Sequence, residues 1–121
     1  MNDVITLTFP AKPDYFLAVR LAVSGVAERA GFTIDDIEDI KVASAEACTL
    51  LLCAGRERIA ISMALGDSIE MALAAQGDAV PVADIAEGNE LSQYLLEALV
   101  DTCTFKKEGD TVVGVSFTKK K

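Results

Sequence analysis

Residues 41–53 read Lys-Val-Ala-Ser-Ala-Glu-Ala-Cys-Thr-Leu-Leu-Leu-Cys, and this stretch decides the fold. It closes a predicted helix that opens at Thr33, with acidic residues in its first turn that favour the positive end of the helix dipole. The helix starts as an amphipathic one, with Ile34, Ile37 and Ile40 expected to face inward. It ends apolar on nearly all sides. A helix end of this kind is expected to be buried on several sides.

The rest of the chain alternates between strand and helix patterns around this helix. Asp14 is expected to cap the first helix, and Gly66-Asp67 and Gly109-Asp110 suit tight hairpin turns. Residues 76–89 are predicted to form a loop. The predicted strands are 4–9, 58–65, 68–75, 102–107 and 111–118, and the predicted helices are 14–30, the one ending before Gly55, and 91–100.

This order of elements predicts one α/β (α+β) domain over residues 1–121. Helices on one face of a mixed, mostly antiparallel sheet make a two-layer sandwich. A length of 121 residues suits one domain with one core, and 51% hydrophobic residues indicate a globular chain. No internal repeat and no linker interrupts the pattern.

Charge and composition exclude several classes of function. The net charge of -8 argues against a nucleic-acid partner, because phosphate backbones select basic surfaces. The one basic run, residues 119–121, is interpreted as a solvated tail. The chain has no histidine, so it contains no Ser-His or Cys-His catalytic pair and no His-ligated metal site.

The cysteines and the N-terminus indicate a cytoplasmic protein. Cys48, Cys53 and Cys103 show no CxxC spacing and sit in apolar contexts, so buried thiols in a reducing compartment are the simplest interpretation. No basic segment followed by an apolar run suggests a signal peptide, and no apolar stretch is long enough to span a membrane.

Three parts of the chain resemble one known family. Residues 9–15 with 20–27, residues 31–49 and residues 94–101 resemble the first, second and last helical regions of bacterial anti-sigma-factor serine kinases, members of the GHKL (histidine-kinase-like) ATPase superfamily. The resemblance covers nearly the whole chain. It implies a histidine-kinase-like ATPase fold, a dimer, and a role for Arg20, at the position of an Arg with which the family grips protein partners.

The nucleotide motifs of that family are changed in this sequence. In the family, a Glu orients the attacking group and an Asn four residues later holds Mg²⁺. Glu46 remains as the remnant of this pair, but Leu50 stands at the Asn position and offers no oxygen to a cation. The adenine-reading Asp corresponds to Ala75, two residues before Gly77, and the glycine-rich phosphate turn corresponds to residues 89–93, where Glu90 would repel an anion.

These changes predict a regulatory protein-binding module that resembles anti-sigma factors and has neither ATP binding nor kinase activity. No catalytic residue, metal ligand or cofactor is assigned. The alternative is a serine/threonine kinase anti-sigma factor that still binds Mg-ATP through a divergent site. A third possibility is a small-molecule sensor in the remodelled cavity.

The predicted partners are proteins: a sigma factor, an anti-sigma antagonist or a second copy of the chain. Residues 4–9 are a candidate edge strand, and an unpaired apolar edge invites pairing. We therefore expect a homodimer, or a docked partner, along the first strand and the first helix.

Overall fold

A five-stranded sheet forms one layer of the computed structural model, which describes residues 3–81 and 89–121. Its strands are β1 (Val4–Pro10), β2 (Arg56–Leu65), β3 (Ser68–Ala79), β4 (Thr102–Glu108) and β5 (Thr111–Lys120). They are ordered β1-β2-β3-β5-β4, and each neighbouring pair in the described ranges is antiparallel. The two-layer α/β prediction is confirmed, and β1 is an edge strand as expected.

Three α-helices in the described residues form the second layer. They are α1 (Phe16–Arg29), preceded by a 3-10 turn at Pro13–Tyr15, then α2 (Ile34–Leu52) and α3 (Asn89–Leu99). The central helix is α2, which packs between α1 and α3 and contacts β2, β3 and β5 beneath it.

The core lies between α2 and the inner face of the sheet. Every second residue of a strand points to this face, so the central strands supply alternating large apolar side chains. Fully or almost fully buried side chains of the sheet are Ile59, Ile61, Met63, Ile69, Met71, Leu73, Val115 and Phe117. They meet buried residues of α2, among them Ile40, Ala43, Ala47, Leu50 and Leu51.

The helix starts were only partly predicted from the sequence. Thr33 caps α2 as expected, since its hydroxyl accepts a hydrogen bond from the Asp36 amide at 3.2 Å. Asp14 does not cap α1, and the prediction was wrong. The chain first makes the 3-10 turn that begins at Pro13, so Asp14 lies inside that turn and Tyr15 becomes the N-cap without a side-chain hydrogen bond.

The inward position expected for Ile34 was also wrong. Ile40 is buried and Ile37 half-buried, but the Ile34 side chain is 80% exposed. Ile34 precedes Ile40 by six residues, which places it about 120° around the helix from the buried stripe. Apolar spacing alone did not show where the stripe begins.

The strands also run further than their patterns indicated. The predicted loop at 76–89 begins as strand, because β3 continues to Ala79, and it ends as helix, because α3 starts at Asn89. Residues 82–88 of that loop lie outside the described residues. The interpretation of residues 119–121 as a solvated tail was wrong for Lys119, which lies in β5 and whose Nζ donates to the Leu99 carbonyl at 2.9 Å and to Asp39 Oδ2 at 3.3 Å.

We predict that Leu51→Ala lowers the free energy of unfolding by more than about 2 kcal/mol, because it leaves a cavity in a fully buried site. Urea unfolding measures the change. Leu17→Ala is the matched control, since Leu17 is also helical but 66% exposed, and it should cost less than about 1 kcal/mol. Equal effects of the two substitutions would contradict the packing described for α2.

Candidate functional site

The C-terminal half of α2 is packed and internally hydrogen-bonded. Leu50 is 1% exposed and, with Leu51 and Leu52, belongs to the core. The Thr49 hydroxyl donates to the Ala45 carbonyl at 3.0 Å, which confirms the expectation that it bonds to its own helix. The Leu50 side chain therefore lies in the core and presents only methyl groups there.

Glu46 is held by a residue of α3. The Ser92 hydroxyl donates a hydrogen bond to Glu46 Oε2 at 2.6 Å, and Ser92 is buried while Glu46 is half-buried. This bond joins α2 to α3 across 46 positions of sequence. Of the two readings available for Glu46, a base facing a substrate or a structurally paired carboxyl, the geometry fits the second.

The site of the missing adenine-reading Asp is an ordinary strand position. Ala75 is half-buried, packs against the core and lies opposite Ile59 in the β2–β3 ladder. It offers no side-chain hydrogen-bond acceptor. Asp78, three residues further along β3, is exposed.

Gly77 has a structural reason to be glycine. Its φ is +93°, and a Cβ at this position would lie 2.6 Å from Glu57 Oε2 and 2.9 Å from Glu57 Cβ. It sits where the β2–β3 pairing shifts register, and its carbonyl accepts a hydrogen bond from Arg56 Nη1 at 3.2 Å. The strand irregularity explains this glycine without a nucleotide.

The first turn of α3, where the resemblance led us to expect a phosphate-turn position, carries an exposed acidic side chain. Glu90 is exposed, and a carboxylate there interacts favourably with the helix N-terminus. Leu91 and Tyr94 on the same helix are 62% and 70% exposed. A negative side chain at the end of the helix that would receive phosphate opposes anion binding.

Arg20 lies on an exposed, partly apolar face of α1. Leu17 and Leu21, its neighbours on one face of the helix, are 66% and 64% exposed. Within residues 3–81 and 89–121, no hydrogen bond or ion pair holds the Arg20 guanidinium. An unpaired Arg between two exposed leucines has the composition of an interface anchor.

None of the three cysteine thiols has the lowered pKa of a reactive nucleophile. Burial raises the pKa of the Cys48 thiol to about 12, and burial together with the Glu97 carboxylate raises the pKa of Cys103 to about 11. Burial also raises the pKa of Cys53. Cys48 is buried as predicted, whereas Cys53 and Cys103 are half-buried. In the part of the chain that the structure describes, no group of three or more His, Cys, Asp and Glu side chains could hold a metal ion.

The sequence pointed to Glu46 but missed its partner. The signal was present in α3, where Ser92 precedes Leu96 by four residues and so lies on the stripe that faces the core. A lone serine on an apolar helical stripe requires a hydrogen-bond partner, and the only way to find that partner was through the packing of α3 on α2.

The sheet order, the central α2 and the position of α3 define the class of protein. The Histidine kinase-like ATPase domain family matches residues 9–117, and the chain belongs to this family. No helix in residues 3–81 and 89–121 is long and apolar enough to cross a membrane.

Individual relatives narrow the class. The chain is 35% identical to the serine-protein kinase RsbW of Bacillus velezensis, with 97% of this chain and 85% of the relative aligned. It is 31% identical to the serine-protein kinase RsbW of Bacillus subtilis, with 94% and 84% aligned. A shorter match, 55% identical over 49 residues, links it to the serine-protein kinase RsbW of Listeria monocytogenes. The resemblance to the anti-sigma-factor serine kinases is thereby confirmed.

In the long alignments, the relatives have more residues than this chain. The Bacillus velezensis alignment extends over 139 positions but covers 97% of a 121-residue chain, so about twenty aligned positions have no counterpart here. The alignment with Halalkalibacterium halodurans RsbW, 134 positions over 94% of the chain, leaves a similar number unmatched. This chain is therefore a shortened version of the domain in its relatives.

We predict that Ser92→Ala lowers the free energy of unfolding by about 1–2 kcal/mol, because Glu46 loses its buried donor. Ser24→Ala, on α1 and without a side-chain hydrogen bond in the described residues, is the control and should change stability by less than about 0.5 kcal/mol. Glu46→Ala in each background completes a double-mutant cycle by urea unfolding. Additive effects of the two substitutions would show that the hydrogen bond does not join the helices.

Proposed function

We propose that this protein is a regulatory protein-binding module of the anti-sigma-factor type that neither binds Mg-ATP nor phosphorylates a partner. It has the fold of a nucleotide-dependent kinase, and a surface of that fold binds a partner protein. A serine kinase with a divergent Mg-ATP site is the competing function.

The observation that carries this proposal is the burial of Leu50. A magnesium site needs oxygen ligands exposed to the ion, and Mg²⁺ demands near-octahedral geometry. At the position of the family's Mg²⁺ ligand, a 1% exposed leucine is packed among other apolar side chains. Placing a hydrated divalent ion there would require both new ligands and the opening of the core.

Independent features at the other nucleotide positions support the same conclusion. Glu46 is engaged by Ser92, Ala75 has no acceptor, and Glu90 places a negative charge where phosphate would approach. The relatives also have about twenty residues that this chain lacks, which fits a shortened nucleotide lid. One of these changes alone would fit a variant site, whereas their combination supports loss of the site.

The partner surface is proposed on α1. Arg20, Leu17 and Leu21 form an exposed patch with an unpaired guanidinium, and the overall charge of -8 favours a partner with a basic region around its contact. The proposed partner is a sigma factor or an anti-sigma antagonist. We further propose that the protein is cytoplasmic and acts as a homodimer.

We predict no saturable heat when Mg-ATP is titrated to millimolar concentration in calorimetry, and no rise in melting temperature, since a ligand that binds the native state must raise it. The Bacillus subtilis relative, titrated in parallel, is the positive control. A micromolar dissociation constant for this chain would contradict the proposal and favour the kinase alternative.

We predict that Arg20→Glu weakens capture of purified sigma factors from the source cell by about tenfold or more, because it reverses the charge of the proposed anchor. Arg29→Glu is the control. It makes the same change on the same helix, but Arg29 lies on the opposite side of α1 from Arg20. Biolayer interferometry gives the affinities, and thermal melts should show little change for Arg20→Glu. Equal affinity of Arg20→Glu and the unmodified protein would remove α1 from the interface.

A further inference from the structure

Strand β1 lies at an edge of the sheet, and its register with β2 shows which backbone groups face away from the sheet. The Asp3 carbonyl accepts a hydrogen bond from the Leu65 amide at 2.8 Å, and the Ala11 amide donates to the Glu57 carbonyl at 3.0 Å. Both pairs continue the β1–β2 register, which has no shift. Residues of an antiparallel strand alternate between bonding to the neighbouring strand and pointing away from it. The odd-numbered residues of β1 therefore bond to β2, and the even-numbered ones face outward.

The outward backbone groups of β1 have no partner in the part of the chain that the structure describes. They are the N–H and C=O groups of Val4, Thr6 and Thr8, since the Pro10 carbonyl already accepts from the Lys12 amide at 2.7 Å. Val4, Thr6 and Thr8 are all exposed. These donors and acceptors form a regular row that another extended chain would satisfy in register.

The opposite edge of the sheet is protected against such pairing. Strand β4 ends in three consecutive charged residues, Lys106, Lys107 and Glu108, and its register with β5 shifts between the two lysines. Charges and bulges of this kind keep sheet edges from pairing with other chains. Residues 4–9 of β1 contain neither a charged residue nor a register shift. The edge that is open to pairing is therefore β1.

The side chains of β1 that face the helices are apolar and become less covered toward its N-terminus. Phe9 is 7% exposed, Leu7 is half-buried and Ile5 is 39% exposed. Side chains of paired residues lie on the same face of a sheet, so a strand beside β1 would place every second side chain next to this row. Apolar side chains at those positions would cover Ile5 and Leu7.

Opposite charges lie at the two ends of the open edge. Lys12 follows the strand and is exposed, and no ion pair in the described residues engages its ammonium group. Asp3 precedes the strand and is also exposed. Charge complementarity therefore favours a segment with an acidic residue beside Lys12 and a basic residue beside Asp3.

A second copy of β1 fits this edge less well than a segment with that charge pattern. The one antiparallel twofold register that uses all the outward residues of both copies is centred on Thr6. Asp3 of the partner subunit would then lie opposite Phe9 on the apolar face, three residues short of Lys12. A carboxylate in that position loses water without gaining a cation.

We propose that the free edge of β1 binds an extended segment of a partner protein as an antiparallel strand. The segment carries apolar side chains at every second position, on the face that β1 turns toward the helices, and an acidic residue at the end beside Lys12. This proposal rests on the proposed function, because it gives the partner protein a second contact besides the Arg20 patch. Backbone groups, rather than a side chain, supply the hydrogen bonds of this contact.

The first experiment measures binding of a fluorescein-labelled synthetic peptide, Asp-Glu-Val-Thr-Val-Thr-Val-Thr-Lys-Lys, by fluorescence anisotropy up to about 1 mM protein. Thr6→Pro should weaken binding about tenfold or more, because it removes an outward N–H and leaves the bonds between β1 and β2 in place. Thr6→Val is the matched control. It changes the same side chain but keeps the N–H, so its affinity should stay within about twofold of the unmodified protein. Circular dichroism checks that both variants fold.

The second experiment changes only the peptide, and it decides the matter if Thr6→Pro fails to fold. Threonines of the bound peptide would pair with the outward residues of β1, whereas its valine N–H groups would point away. N-methylation of the threonine nitrogens should abolish saturable binding, and N-methylation of the valine nitrogens should change the affinity by less than about threefold. Exchanging the acidic and basic ends of the peptide should weaken binding about threefold or more.

Several outcomes would overturn the proposal. They are no saturable binding of the unmodified peptide, equal affinity of folded Thr6→Pro and Thr6→Val, and equal effects of the two N-methylated peptides. A dimer in sedimentation that Thr6→Pro converts to a monomer would assign the edge to a second copy and would also overturn it. These assays contain neither nucleotide nor sigma factor, so their failure is distinguishable from failure of the titration and the capture assay.

Discussion

The burial of the apolar end of α2 is the interaction on which the rest of the structure depends. Helix α2 is the only helix in the described residues that contacts both other helices and three strands, and Leu50, Leu51 and Ile40 lie at the centre of that contact. Each buried side chain of this size stabilises the fold by about 1.5–3 kcal/mol relative to an exposed one. The buried positions of this helix end serve packing, and its half-buried Thr49 and Glu46 are bonded within the protein.

Polar groups around α2 then find their partners inside the protein. Glu46 is bonded to Ser92 of α3, and Lys119 of β5 bonds to Asp39 of α2 and to the last turn of α3 through the Leu99 carbonyl. No buried side-chain nitrogen or oxygen in residues 3–81 and 89–121 lacks a hydrogen-bond partner. A site that awaits a charged ligand commonly keeps polar groups uncommitted, whereas these groups tie three elements together. The exposed apolar side chains that lie beside an exposed cation are found instead on α1, at Leu17, Arg20 and Leu21.

Much of the fold could be predicted from residues alone, and the failures have local causes. Alternating apolar residues predicted all five strands, and Thr33 and Gly55 predicted the bounds of α2 to within a few residues. Ile34 was misplaced because the spacing of three isoleucines did not show where the helix meets the sheet. Asp14 was misassigned because Pro13 starts a separate 3-10 turn. Strand ends were missed where pairing, rather than composition, decides whether a residue such as Gln76 is in a strand.

The candidate site was less predictable than the fold because its features depend on pairs of distant residues. Sequence identified Glu46, Leu50, Ala75, Gly77, Glu90 and Arg20 through a family resemblance, but it contained no direct sign of the Glu46–Ser92 bond. Gly77 was interpreted most simply as a loop breaker, but it lies in β3, and a Cβ at its position would collide with Glu57. The many small residues on the sheet face away from the helices became apparent only once the register of the five strands was known, because each row across the sheet takes one residue from each strand.

Native-state hydrogen exchange of the α2 backbone tests most directly the central claim that Leu50 and its neighbours on α2 are part of a closed core. Amides of residues 47–52 should exchange only through global unfolding, with opening free energies equal to the stability measured by urea. Adding millimolar Mg-ATP should change neither these values nor those of the first turn of α3. Faster exchange through local opening at Leu50, or added protection around Glu46 and Ser92 with Mg-ATP, would contradict the account and indicate a working nucleotide site.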